Sequence, residues 1–179
     1  MAKNGAPKFF YGYIIVLAGF FLQVVGWGLC STFGIFFNPL LIEFGWTRAM
    51  ISGAFSLSFL ILGFISIIVG GLNDRLGPRM IMVVCGLFLG SGYLLMSQLN
   101  TIWQLYLFYG VIVGIGMSGM DVLSLSTIAR WFVRRRGMMS GIVKAGAGIG
   151  MAIMPPIANW LISSYGWRTS YFIVGIIAL

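Results

Sequence analysis

The chain has no histidine, two cysteines and only three acidic residues (Glu43, Asp74 and Asp121) among its 179. Without histidine, and with no paired carboxylates or nucleophile–base arrangement in its apolar runs, it offers no site for intramembrane catalysis, and it is not read as an enzyme. Cys30 and Cys85 fall inside apolar runs, where thiols pack as small hydrophobic side chains, so no disulfide framework is implied. No metal site or cofactor is expected. The run Gly146-Ala147-Gly148-Ile149-Gly150 lacks the spacing and the preceding strand of a dinucleotide-binding turn. Charged residues make up 8% of the chain against 60% hydrophobic, far from the composition of soluble globular domains.

What is present is a series of apolar runs too long and too many for one soluble core. A hydrocarbon layer of about 30 Å needs roughly 20 helical residues to cross. The runs near 13–37, 48–72, 80–97, 102–128 and 137–163 meet that length, and a sixth begins near 170 and stops at 179. The expectation is an all-α, multi-pass bundle of six helices whose last helix is incomplete, the chain being a fragment of a longer protein. The first run is too long for a cleavable signal peptide, and no small-residue cleavage site follows it.

The formal charge of +8 does not indicate nucleic acid, because the basic residues sit between the apolar runs. With the amino terminus inside, one face holds Lys3, Lys8, Arg75, Arg79, Arg130, Arg134, Arg135 and Arg136, and the other holds only Arg48 and Arg168. This bias makes the amino terminus cytoplasmic in a plasma (cell inner) membrane.

Two boundaries share a pattern, Phe44-Gly45-Trp46-Thr47-Arg48 and Tyr165-Gly166-Trp167-Arg168-Thr169. In each, Gly allows the turn and Trp anchors at the interface. Glycines four apart (Gly86 and Gly90, Gly110 and Gly114, Gly137 and Gly141, Gly146 and Gly150) suit close helix packing.

The turn between the second and third runs reads Gly70-Gly71-Leu72-Asn73-Asp74-Arg75-Leu76-Gly77-Pro78-Arg79. It resembles the signature loop of the major facilitator superfamily, G-x-L-x-D-R-x-G-x-R, at every defined position. Gly70 permits close helix approach, Asp74 closes the second span, and Gly77-Pro78 forces the turn. The resemblance implies that Asp74 forms ion pairs at the inner gate, with Arg75, Arg79 and Arg130 as partners.

The segment from Trp131 to Gly146 resembles the fifth-span motif of monocarboxylate transporters, roughly Y-F-x-K-R-R-x-L-A-x-G-x-A-x-A-G. Phe132, Arg135, Arg136, Gly141, Ala145 and Gly146 match outright. The first-span signature of that family is only echoed, by Tyr11-Gly12-Tyr13, which points toward relatives near the oxalate–formate exchangers. The resemblance implies the amino-terminal half of a twelve-span, major facilitator-type carrier. It also implies that spans one and four line the cavity, making Gln23, Trp27, Met117 and Met120 candidate substrate contacts.

Only Asp121 and Lys144 carry charge inside the spans, where a charge is costly and functional by default. At 1.5 Å per residue, Lys144 lies about 12 Å beyond Arg136 and Asp121 about 13 Å before Arg130, so a helical hairpin would bring both to similar depth. Lys144 shares a face with Ser140, Gly141, Ala147 and Gly148. Three roles stay open for the two charges: a structural ion pair, attraction of a substrate carboxylate by Lys144, or proton coupling through Asp121. Pro155-Pro156 is a candidate kink.

These features lead to an expected secondary transporter of small organic anions, monocarboxylates foremost, by proton-coupled alternating access; the alternatives are an organic-anion exchanger of the oxalate–formate type and a major facilitator carrier of another small solute. Its partners would be the anion, H+, the lipid bilayer and the missing carboxyl-terminal half, with no nucleic acid.

Overall fold

A computed structural model describes residues 12–132 and 135–179; Lys3, Lys8, Tyr11 and Arg134, used above, lie outside the described residues. Among these the chain is helical almost throughout, with no strand, and five helices are long and apolar enough to cross a membrane. They are α1 (Gly12–Phe44), α2 (Arg48–Leu76), α3 (Pro78–Met96), α4 (Ile102–Trp131) and α5 (Arg136–Ala178).

The boundaries have local causes. Gly45 adopts φ 64°, and the Thr47 hydroxyl then accepts from Met50 N at 3.3 Å to cap α2. Gly77 at φ 81° ends α2, and Pro78 occupies the first turn of α3, where its missing N–H costs nothing. Before α4, Thr101 and Gln104 cap each other reciprocally. Gly166, at φ 78° and non-helical, separates α5 into two helical arms, 136–165 and 167–178, which correspond to the fifth and sixth expected spans. The first arm runs on through Pro155 and Pro156.

Two features run past expectation. α1 continues through Pro39 to Phe44, held by fully buried Leu40 and by Glu43, whose carboxylate accepts from the Trp167 indole and from Arg168. Residues Tyr106–Val113 of α4 form a π-helix, a wider winding that leaves no composition signature.

With lipid outside, apolar burial gives helices no drive to associate, so close packing and hydrogen bonds hold them. α1 meets α5 most extensively, while α4 packs against α2 and α3 and touches α5 only lightly. The α1–α5 contact is made by glycine: a Cβ on Gly146 would lie 2.6 Å from the Phe20 carbonyl oxygen, and one on Gly150 would overlap that of Val24. Gly110 and Gly114 do the same between α4 and α2, against Leu57 and the Ser58 carbonyl. Gly137 and Gly141 face open space instead. A Cβ on Gly70 would lie 3.9 Å from Val122 Cγ1, ordinary contact, so the close approach expected there is not made. The main core gathers Phe33, Phe36, Tyr93, Tyr109 and Tyr171, with Phe36 stacked on Tyr171 at 3.8 Å. Phe64, Ile67 and Trp103 stand exposed outside, as a lipid-facing surface requires.

Candidate functional site

Gln23 and Trp27 are four residues apart in α1 and therefore share one face. Glycines on either side of Trp27 bring that face close to its neighbours: a Cβ on Gly28 would lie 3.1 Å from the Gly150 carbonyl oxygen, and one on Gly26 would overlap the Met120 sulfur. α1 is thus wedged between α4, which supplies Asp121, and α5, which supplies Lys144.

Three N–H donors meet on one oxygen. Asp121 Oδ1 accepts from Lys144 Nζ at 2.6 Å, from Gln23 Nε2 at 2.8 Å and from Trp27 Nε1 at 3.2 Å. Lys144 Nζ also sits 5.6 Å from the Trp27 ring centroid, within cation–π range. Gln23 is fully buried, whereas the Lys144 and Asp121 side chains are 42% and 38% exposed. The charges therefore lie on an accessible wall and their neutral partner lies behind it. Such an arrangement can hold a carboxylate anion and keep a cation within reach of a second one.

The structure brings Gln23, Trp27, Asp121 and Lys144 together; Met120 packs beside them against Gly26 and Met117 does not join them. Met117 is buried in the main core. Met120 lines an apolar groove of about 700 Å³ between α1, α3, α4 and the end of α5, whose walls include Leu22, Met82, Cys85, Leu123 and Ile177 and none of the four clustered residues. Ser31, Thr32, Ser58 and Ser124 bond carbonyls of their own helices.

At one end of the bundle Arg130 Nη2 meets Asp74 Oδ1 at 2.6 Å, joining α4 to α2. Beside it the Asn73 amide donates to Ser126 Oγ at 3.2 Å. Arg75 stands exposed in the last turn of α2, and Arg79 borders the apolar groove. Both groups of the Asp74–Arg130 pair are more than half exposed, and exposed pairs contribute between nothing and about 1 kcal/mol. Asp74→Asn is therefore expected to lower the melting temperature by at most a few degrees in a thermal scan; a loss of ten degrees or more would contradict this.

Sequence reasoning missed Glu43. Its pairing with Arg168 at 3.0 Å means that each of the three acidic residues forms an ion pair, and each pair joins a different two helices. Scarcity was the available signal: Glu43 is the only acid near the Gly166 boundary, where Arg168 lies.

Residues 12–179 match the family model described as Major Facilitator Superfamily. Monocarboxylate transporter 13 of Rattus norvegicus is 30% identical over 177 residues, 99% of this chain and 41% of that protein. Monocarboxylate transporter 7 of Homo sapiens is 26% identical over 94% of this chain and 32% of its own length. Monocarboxylate transporter 1 of Bos taurus is 27% identical over 92% and 33%. The chain thus spans well under half the length of these relatives.

Proposed function

The chain belongs to the Major Facilitator Superfamily, and we propose that it forms the amino-terminal bundle of a secondary transporter for small organic anions, monocarboxylates by class, working by alternating access. The observation that carries this reading is the half-exposed Lys144 on the wall formed by α1, α4 and α5, set against Asp121. An accessible cation within the spans, with hydrogen-bond donors beside it, suits a substrate bearing one carboxylate. The names of the relatives support the same substrate class.

In this reading Lys144 draws the substrate carboxylate toward Gln23 and Trp27, and Asp121 carries the proton that couples transport. The Asp74–Arg130 pair ties α2 to α4 at the cytoplasmic gate in one state and parts in the other. The excess of Lys and Arg at that end supports a cytoplasmic amino terminus. The remainder of a longer chain would complete the cavity.

The test is uptake of labelled lactate by liposomes holding the full-length protein. An inward proton gradient should drive accumulation. Uptake that ignores the gradient but needs anion on the far side would replace symport with exchange. Absence of flux with lactate, formate, oxalate and pyruvate alike would sink the organic-anion reading.

A further inference from the structure

We infer that Gln23, Trp27 and Lys144 form a preformed three-donor cradle for one carboxylate oxygen, and that Asp121 fills it as an internal stand-in for the substrate's own carboxylate. This rests on the transporter reading for its biological use, but the cradle itself is a matter of geometry.

A structural ion pair needs only two charges. Here two neutral donors from a third helix join Lys144 on the same atom, Asp121 Oδ1, at 2.8 and 3.2 Å. An oxygen accepting three N–H bonds, one of them from an ammonium, is matched to a carboxylate anion. None of the three donors belongs to Asp121's own helix: Gln23 and Trp27 come from α1 and Lys144 from α5. Removing the Asp121 side chain therefore takes away the occupant and leaves the donors in place.

The two neutral donors are also held by packing that does not involve Asp121, and the Lys144 ammonium lies near the Trp27 ring. Gln23 is fully buried, and the backbone around Trp27 is fixed by the close approach of Gly28 to the Gly150 carbonyl. The Trp27 ring lies 6.4 Å from that of Phe59. Asp121 itself is 38% exposed, so its position can be reached from the open wall. Its side chain beyond Cα is chemically an acetate group, the smallest form of a substrate with one carboxylate. An entering monocarboxylate can take over the same donors when Asp121 leaves them. A second carboxylate on a dicarboxylate would find no further cation in this cluster.

The experiment uses full-length protein in lipid nanodiscs, with sodium acetate as the probe and tryptophan fluorescence as the readout. Asp121→Ala should give a saturable, acetate-dependent change with an apparent affinity at least about tenfold above that of the unaltered protein, roughly 1.4 kcal/mol. The signal should vanish when Trp27→Phe or Lys144→Ala is added, and acetamide, of similar shape without charge, should produce none. Acetate should also raise the melting temperature of Asp121→Ala by several degrees. That second readout keeps the test decisive if the variant is only marginally folded, and Asp121→Ser, another variant that empties the cradle, gives an independent measurement.

Failure of both variants to respond to acetate, or a response equal to that of the unaltered protein, would overturn the cradle. If lactate uptake by the unaltered protein persisted in that case, the transporter reading would stand without it. Acetate binding to Asp121→Ala in a protein that moves no organic anion would support the cradle and overturn the transport reading instead.

Discussion

Lys144→Ala should reduce anion uptake by about a hundredfold or more, an effect of roughly 3 kcal/mol on transport, and adding Asp121→Ala should not restore it. Removing Lys144 takes the cation from the wall of α1, α4 and α5 and leaves Asp121 as an anion held by two neutral donors. That anion would repel the substrate. If Lys144 served only to neutralise Asp121, deleting both would remove the problem and uptake would return. Recovery in the double variant would therefore make the pair structural and sink the substrate role of Lys144. The measurement is initial uptake rate in liposomes, with a thermal scan of each variant beside it. Both groups are more than a third exposed, so the stability loss of the single variants should stay nearer the 1 kcal/mol of an exposed pair than the 3–5 kcal/mol of a buried one. Lys144→Arg should recover only part of the rate, since the bulkier planar fork does not fit beside Gln23 and Trp27 on the single oxygen that the compact ammonium reaches.

Gly150→Leu should prevent the bundle from folding, and even Gly150→Ala should cost about 1–3 kcal/mol through overpacking. The atom that an added Cβ would overlap is the Val24 carbonyl oxygen. It is part of the α1 backbone and cannot turn aside as a flexible side chain would. Gly148→Ala, two residues earlier on the same helix, meets open space and should be neutral or slightly stabilising, because Ala favours helix over Gly. Comparing the two alanine variants by reversible unfolding in mixed micelles checks the claim. Equal stabilities would show that the α1–α5 contact is looser than the structure has it.

The signals that could be read in the sequence were those that stand out against an apolar background. Gly45, Gly77-Pro78 and Gly166 mark backbone turns that other residues resist, and each adopts positive φ or follows one that does. Asp121 and Lys144 stood out because charge within the spans is rare, and Gln23 and Trp27 could be placed on one face by their spacing. Facing was harder to read for the rest. When nearly every residue of a helix is apolar, periodicity no longer separates core from lipid, so Met117 and Met120 looked alike. Met117 lies within the core, whereas Met120 packs against its edge and lines a groove. The glycine pairs show the same limit: spacing identified them equally, yet Gly146 and Gly150 meet backbone while Gly137 and Gly141 meet nothing. That α1 lies between the helices bearing the two charges is a matter of tertiary arrangement, which the short loop joining those helices does not encode.

The backbone contact between α1 and α5 also has a mechanical side. Gly146 and Gly150 seat against the Phe20 and Val24 carbonyls like teeth in a rack, and Glu43 fastens the far end of α1 to the second arm of α5. Sliding or rolling one helix on the other would drive backbone into backbone, so α1 and α5 must travel as one stiff plate. α4 meets α5 lightly, through a small apolar cluster of Ile128, Phe132, Met139 and Val143 and the Lys144–Asp121 pair, and Asp121 is tied to α1 as well through Gln23 and Trp27. Movement of α4 against that plate would strain the three bonds at Asp121 Oδ1 together, which makes that atom the point where the displacement registers.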